Sequence, residues 1–157
     1  IALIVAGDGE MYSEIKEELG RKTPHLHLLG RVSPEEIVEL LINSDIYVTT
    51  SEKENRSLAI IEALAAGLLI LAPSAGGIPQ DVEEGKSGFL FVPQNPDDFA
   101  AKLKLLAENY TLREEMGRHG KGYIKKYSWD RTIGNLVKIW EKQIEKKRLG
   151  NKVGSRE

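Results

Sequence analysis

The sequence contains no cysteine, only 6% aromatic residues and no apolar run of the roughly 20 residues that a membrane-spanning helix requires. The absence of cysteine excludes disulfides, thiolate catalysis and zinc sites with cysteine ligands. Nothing at the N-terminus resembles a signal peptide, so the cytoplasm is the expected location. The rest of the composition is that of an ordinary globular protein, with 41% hydrophobic and 29% charged residues.

The net charge is only −2, but the charges are unevenly distributed. The first part of the chain has few basic residues, and the last part has few acidic ones. Residues 1–117 carry 10 Lys/Arg and 20 Asp/Glu, whereas residues 118–157 carry 12 Lys/Arg and 4 Asp/Glu. A basic segment can contact a membrane surface or a polyanion, and it can equally be a solvated helix. We favour the solvated helix, keep a weak peripheral membrane contact as an alternative and expect no nucleic-acid partner.

The 157 residues suffice for one domain, and apolar stretches of strand length alternate with helix signals. Ser33-Pro34-Glu35-Glu36 combines an N-cap serine, a proline at the first helical position and a glutamate at N3. The predicted strands are residues 1–6, 26–29, 45–49, 68–72 and 89–92. The predicted helices are residues 10–19, 33–41, 58–66, a short piece around 81, 95–108, 112–127 and a last helix from 128. This alternation predicts an α/β fold with a parallel sheet and helices on both faces.

The segment from Glu54 to Glu62 is the main candidate for chemistry. Glu62 is the only charge on a predicted helix of apolar residues, where a carboxylate is costly unless it is hydrogen-bonded or binds a ligand. The alternative is a glutamate at a helix edge that caps a backbone amide. Glu54 lies in the loop before that helix, whose free N–H groups favour phosphate. A carboxylate there suits a hydroxylated group attached to the phosphate; the alternative is a solvated loop charge.

Other signals are weaker. Gly76-Gly77 allows the backbone to approach a ligand closely or to make a tight turn. Gly7-Asp8-Gly9 lacks the third glycine of the dinucleotide-binding fingerprint. The three histidines show no metal-ligand spacing with carboxylates, and we interpret them as structural or surface residues; they are His25, His27 and His119.

These segments, in this order, resemble the group 1 glycosyltransferases, a large retaining family that includes glycogen synthases and mannosyltransferases. Each match is weak alone, but together they cover about residues 1–145 in register. The matching segments are residues 4–10, 28–32, 44–48, 51–67, 75–79, 85–90 and 127–129. The resemblance implies the C-terminal, Rossmann-like donor-binding half of a GT-B architecture. It also implies that the half-domain lacks its first strand and helix, so that its sheet has no middle strand.

By this resemblance, Glu54 and Glu62 match the two glutamates of an E-x7-E motif. Glu62 is then expected to bind the ribose hydroxyls of the nucleotide, and Glu54 the donor sugar near the reacting carbon, as the catalytic residue. Residues 55–58 are expected to present backbone amides to the diphosphate and the sugar; they are Asn55, Arg56, Ser57 and Leu58. The nucleotide base is expected to lie against Gly30, Arg31 and Val32. The family needs no cofactor and no bound metal, so neither is expected.

The chain departs from the family pattern in two of these segments. Asn55-Arg56-Ser57 replaces a glycine-containing sequence, and Arg56 could reach a phosphate. Gln80 stands where an acidic residue often occurs. We therefore predict residues 1–149 to be a truncated nucleotide-sugar-binding domain and residues 150–157 a disordered tail. The expected enzyme is a hexosyl-type transferase acting with a missing acceptor-binding domain on a glycan or lipid-linked sugar; alone, this chain is expected to be inactive. The alternatives are a degenerate scaffold domain and a nucleotide-sugar epimerase.

Overall fold

The computed structural model describes residues 1–19 and 22–153, and it describes side chains as far as Lys147. The chain forms two compact units, Ile1–Gly122 and Tyr123–Glu157. The first unit alternates strands and helices as predicted. Its strands are β1 (Leu3–Ala6), β2 (Leu26–Gly30), β3 (Ile46–Val48), β4 (Leu69–Pro73) and β5 (Gly88–Phe91). Its helices are α1 (Tyr12–Leu19), α2 (Pro34–Ile42), α3 (Leu58–Ala66), α4 (Ile78–Asp81), α5 (Pro96–Glu108) and α6 (Tyr110–Tyr123), of which the last reaches one residue into the second unit.

The strands form two parallel sheets, one of β1 and β2 and one in the order β3-β4-β5. In the first sheet Leu3 lies opposite Leu26, and in the second Ile70 lies opposite Gly88. Within residues 1–19 and 22–153, no ladder joins the two sheets. The parallel arrangement and the Rossmann-like alternation are confirmed. Instead of the single predicted sheet, the part of the chain that the structure describes therefore has two, β1-β2 and β3-β4-β5.

The continuous apolar run of β1 is typical of a strand buried on both faces of a parallel sheet, but β1 is exposed. Leu3, Ile4 and Val5 are exposed by 50%, 45% and 39%. The reason is that β1 pairs with β2 alone, and α1 buries none of its residues. An apolar strand is covered only when neighbouring strands and helices on both faces enclose it.

The core of the first unit lies around β4, all five of whose residues are buried. This strand has a partner on each side, which gives it the continuous apolar sequence of a central parallel strand. The buried side chains that pack together here are Leu69, Leu71, Phe91, Leu106 and Met116. The second sheet is therefore the rigid part that carries the loops after β3 and β4.

The helix ends form as the sequence signals predict. The Ser33 hydroxyl accepts the Glu36 N–H at 3.2 Å, and the Glu36 carboxylate accepts the Ser33 N–H at 2.6 Å, which completes the capping box. Gly67 ends α3 in the left-handed region at φ 97°. The helix predicted at 112–127 divides at Tyr123 into α6 and a 3-10 turn, Ile124–Tyr127.

The second unit consists of that 3-10 turn and one long helix, α7 (Trp129–Val153). Residues 150–153, which belong to the predicted disordered tail, are helical, because no proline interrupts the last turns. Residues 154–157 lie outside the described part of the chain. None of the helices that the structure describes combines the length and the apolar character needed to cross a bilayer.

Candidate functional site

The candidate site lies where β3 and β4 end. The loop after β3 leads through Glu54 to the start of α3, and the loop after β4 contains Gly76 and Gly77. Ligands of parallel α/β sheets bind outside the carboxyl ends of the strands, which is where both loops lie. The two loops contact each other directly, so their geometry has to be described together.

The close contact between the loops explains the glycine pair. The Gly77 N–H donates to the Glu54 carbonyl oxygen at 2.6 Å. A Cβ on Gly77 would lie 1.8 Å from the Asn55 carbonyl oxygen, and one on Gly76 would lie 2.4 Å from that of Glu54. Gly76 also has φ 54°, a left-handed conformation that favours glycine. Of the two sequence interpretations, the tight turn is confirmed, since the Ile78 N–H donates to the Ala75 carbonyl oxygen at 3.2 Å, and the group that this turn approaches is the Glu54 loop.

The first turn of α3 retains backbone donors beside Glu54. The buried Ser57 is the N-cap, and its hydroxyl accepts the Ile60 N–H at 3.4 Å. The N–H groups of Leu58 and Ala59, the first two helical residues, have no acceptor within the helix by geometry. Leu58 is 70% exposed, so the end of the helix faces solvent. The serine hydroxyl is thus engaged in capping, and the backbone amides are what this helix end offers an anion.

Glu62 is exposed, which changes the argument for it. Helix α3 buries Ile60, Ala63 and Leu64 instead. Among the described residues, the Glu62 carboxylate makes no hydrogen bond and no ion pair, so it does not cap a backbone amide either. The premise that it is costly on an apolar helix is wrong, because it lies on the helix face opposite the core. Its carboxylate is solvated and open to a ligand.

The phenol of Tyr47 is affected by the negative charges of both glutamates. Burial raises the pKa of its phenol above the ordinary 10.0, and the negative charges of Glu54 and Glu62 raise it further. The structure therefore brings both carboxylates into the neighbourhood of one half-buried side chain on β3. The sequence did not single out Tyr47; its place two residues before the end of a strand that leads to the Glu54 loop is the only local signal.

Two side-chain contacts hold the Glu54 loop at its ends. Arg56 Nη2 lies 3.4 Å from Asp81 Oδ1 of α4. The Gln94 side chain donates to the Glu52 carboxylate at 3.2 Å. These partners are 25 and 42 residues apart in the sequence, so no local pattern could have indicated them. Arg56, which the sequence offered as a possible phosphate ligand, is thus an ion-pair partner of Asp81.

Gly30 ends β2, in the other sheet, and Arg31 and Val32 follow it. Gly30 is buried with φ 71°, and the Arg31 side chain donates to the Asp8 carboxylate at 2.9 Å. The Arg31 side chain is 83% exposed, so this pair is a surface contact. Val32 borders an open cavity of about 320 Å³ between this sheet and α2, whose other lining residues include Ile4, Leu29 and Leu40.

The side chains that bind metals in proteins are dispersed. The part of the chain that the structure describes contains no group of three or more His, Asp or Glu residues able to hold a metal ion. His119 Nε2 lies 2.7 Å from Glu83 Oε2, which accounts for this histidine as a surface residue. His25 and His27 are exposed.

Comparisons with known proteins agree on one family. The model of the family described as Glycosyl transferases group 1 matches residues 1–123. The chain is 30% identical over 136 residues to an uncharacterized glycosyltransferase of Methanocaldococcus jannaschii, with 86% of this chain and 39% of that protein covered. It is 35% identical over 126 residues to the sulfoquinovosyl transferase of Arabidopsis thaliana, with 78% of this chain and 24% of that protein covered. The chain thus spans well under half the length of these two relatives.

Among solved structures, the fold is similar to that of the Anabaena protein HepE in complex with UDP, with a TM-score of 0.77. The two sequences are 21% identical, and the superposition covers 91% of this chain and 41% of the other. At this identity the likeness concerns the fold alone, which is that of one part of a longer chain.

Proposed function

The chain belongs to the group 1 glycosyl transferases, and we propose that it forms the donor-binding domain of a glycosyltransferase that uses a nucleoside-diphosphate sugar. One observation carries the proposal. The loop after β3 and helix α3 carry Glu54 and Glu62, whose charges both act on Tyr47, and the first turn of α3 presents the N–H groups of Leu58 and Ala59. Carboxylates accept hydrogen bonds from hydroxyl groups, and backbone amides donate hydrogen bonds to phosphates. A nucleotide sugar carries hydroxyl groups and phosphates in one molecule.

Glu62 is assigned to the ribose. An exposed carboxylate with no protein partner can accept hydrogen bonds from two adjacent hydroxyls of a ribose ring. The base is assigned to the turn of Gly30, Arg31 and Val32, through backbone atoms. A base held by backbone groups explains why side chains here, such as that of Arg31, turn to Asp8 instead.

The diphosphate and the sugar are assigned to the start of α3 and the loop before it. The N–H groups of Asn55, Arg56, Ser57 and Leu58 are the donors proposed for the phosphates and the sugar. Glu54, half-buried in that loop, is proposed to accept hydroxyls of the donor sugar near the anomeric carbon. In the transfer, an acceptor hydroxyl oxygen forms a bond to that carbon and its proton passes to the departing diphosphate, while the bond from the carbon to the diphosphate oxygen breaks and that oxygen keeps the electron pair. Amide groups aimed at the departing diphosphate then stabilise the developing charge.

Several further features belong to the proposal. They are retention of configuration at the anomeric carbon, transfer without a bound metal, and a second domain that binds a glycan or lipid-linked acceptor. The HepE structures in complex with UDP and with UDP-glucose support the donor class, as properties of that protein.

A weak contact of the basic C-terminal helix with a membrane surface is also proposed. Binding to anionic vesicles that fades with added salt is its test, and salt-independent or absent binding contradicts it.

Nucleotide titration of matched variants tests the donor assignment. In the full-length protein, we expect Glu62→Gln to weaken UDP and UDP-glucose alike by at least about tenfold, the effect of losing a charge-assisted hydrogen bond. Glu54→Gln is expected to weaken UDP-glucose and to leave UDP unchanged, since only the sugar contacts Glu54. Glu114→Gln, which neutralises an exposed carboxylate on α6, is the control and is expected to change neither.

Distinct results contradict the assignment. If UDP, GDP and ADP all fail to bind the wild type, donor binding is wrong. If Glu54→Gln and Glu62→Gln bind and function as the wild type does, the domain is a scaffold. A rearranged donor as the product, with no glycoside formed, identifies an epimerase instead.

A further inference from the structure

The ion pair between Arg56 and Asp81 joins the proposed donor loop to the short helix α4. Arg56 Nη2 lies 3.4 Å from Asp81 Oδ1. The two side chains differ sharply in environment, since that of Arg56 is 49% exposed and that of Asp81 is 3% exposed. A carboxylate so buried is costly without a compensating positive charge, and Arg56 supplies one. The pair is therefore more than a surface contact between two solvated charges.

The backbone around the pair is tightly fitted. Between Glu54 and Gly77 there is a 2.6 Å hydrogen bond, and the Gly77 Cα approaches the Asn55 carbonyl more closely than any side chain would permit. Arg56 follows Asn55 directly, and Asp81 lies one helical turn after Gly77. The ion pair therefore joins the same two segments that make this backbone contact. Displacement of the Arg56 side chain toward a phosphate would separate the pair and loosen the support of Glu54.

We propose that the Arg56–Asp81 pair positions Glu54 by fixing residues 52–57 against the Gly76–Gly77 turn, and that the Arg56 guanidinium is not a phosphate ligand. The expected effect on sugar binding rests on the proposed donor-binding function. The fixed position of the loop does not depend on any ligand. Arg56 and Asp81 are accordingly positioning residues, and the sugar end of the donor is what their loss affects.

The first experiment measures the loop directly. We compare the wild type with Arg56→Gln, Asp81→Asn, the double variant and Lys53→Gln, which removes a neighbouring exposed cation as a control. The readout is hydrogen exchange of the Gly77 amide, whose acceptor is the Glu54 carbonyl. Because Arg56→Gln, Asp81→Asn and the double variant all lack the pair, we expect exchange about tenfold faster in each of them and little change in Lys53→Gln. Exchange in β4 serves as the measure of global stability.

Unchanged Gly77 exchange in a folded Arg56→Gln variant overturns the proposal, as does an equal rise in Lys53→Gln. If Gly77 exchange rises together with exchange throughout β4, the effect is global unfolding and the positioning role is also overturned. Should one of the single variants fail to fold, the double variant still decides, because it removes both charges of the pair together.

The second experiment separates positioning from phosphate binding. It measures the dissociation constants of UDP and UDP-glucose for the same full-length variants. Positioning predicts that Arg56→Gln and Asp81→Asn both weaken UDP-glucose about tenfold and leave UDP within about twofold. A phosphate ligand predicts instead that Arg56→Gln weakens both molecules while Asp81→Asn weakens neither, and that result overturns the proposal. If the wild type binds no nucleotide, the donor function fails, and the Gly77 exchange result alone decides the positioning of the loop.

Discussion

Replacement of Gly77 by alanine tests how much the candidate site depends on the contact between its two loops. Gly77 has φ −86°, which alanine adopts without strain, so the substitution acts through space alone. The new Cβ would stand 1.8 Å from the Asn55 carbonyl oxygen, whereas real Cβ contacts are not shorter than 3.0 Å. The loop that carries Glu54 must therefore move by ~1.2 Å, which follows from the difference between those two distances.

The free-energy cost follows from three contributions. Overpacking of this kind costs about 1–3 kcal/mol. Loss of the hydrogen bond from Gly77 to Glu54 adds about 1 kcal/mol. Alanine restores about 0.4–1 kcal/mol by restricting the unfolded chain. The net destabilisation is then about 1–3 kcal/mol, and each kcal/mol lowers the thermal midpoint by about 2–4 °C in a protein of this size.

The functional cost is expected to exceed the loss of stability. A displacement near 1 Å in a group that orients a substrate can cost about a hundredfold in rate or sugar affinity. Urea denaturation measures the stability, and titration with UDP-glucose measures the sugar contact. Gly9→Ala is the matched control, because nothing lies within 4 Å of a Cβ built there. The reasoning is refuted if Gly77→Ala is as stable as Gly9→Ala and binds UDP-glucose equally well.

Two further predictions concern stability. In α6, Gly117→Ala is expected to destabilise the protein by about 1–2 kcal/mol, because its Cβ would lie 2.2 Å from the Gly67 carbonyl oxygen. Gly122→Ala, whose Cβ would point into open space, is expected to stabilise the protein by about 0.5–1 kcal/mol. Equal urea midpoints of the two variants contradict this prediction. The Asp98 carboxylate accepts hydrogen bonds from Lys102 and the Val92 N–H, which lower its pKa. Since a lowered pKa stabilises the fold above the ordinary value of 3.8, Asp98→Asn is expected to unfold more easily at pH 7, and its difference from the wild type to shrink as the pH falls below that value. A pH-independent difference in urea midpoints contradicts the second prediction.

The local structure followed closely from sequence signals. The capping box at Ser33 and Glu36, the N-cap at Asn95 and the left-handed Gly67 all occur where their residue types predicted them. These features depend on hydrogen bonds that span three or four residues, so nearby sequence contains the whole interaction. Residues 58–66 form α3 with the predicted bounds for the same reason.

Burial could not be predicted in the same way. The apolar β1 is exposed and the apolar β4 is enclosed, although both read as strands buried on two faces. The difference lies in their neighbours, since β4 pairs on both sides and β1 on one. Glu62 was misjudged by the same argument, because an apolar helix sequence does not show which face turns to the core.

The sequence by itself determined the family, the order of strands and helices, and the pair of glutamates eight residues apart, because each depends on residue types at fixed spacing. Only the tertiary structure decided what the residues around those glutamates do. It showed Tyr47 beside both carboxylates, Gly77 against the backbone of Asn55, and Arg56 paired with a buried aspartate. These contacts join residues far apart in the chain, and their strength depends on burial and on distances of a few ångströms, which folding alone sets.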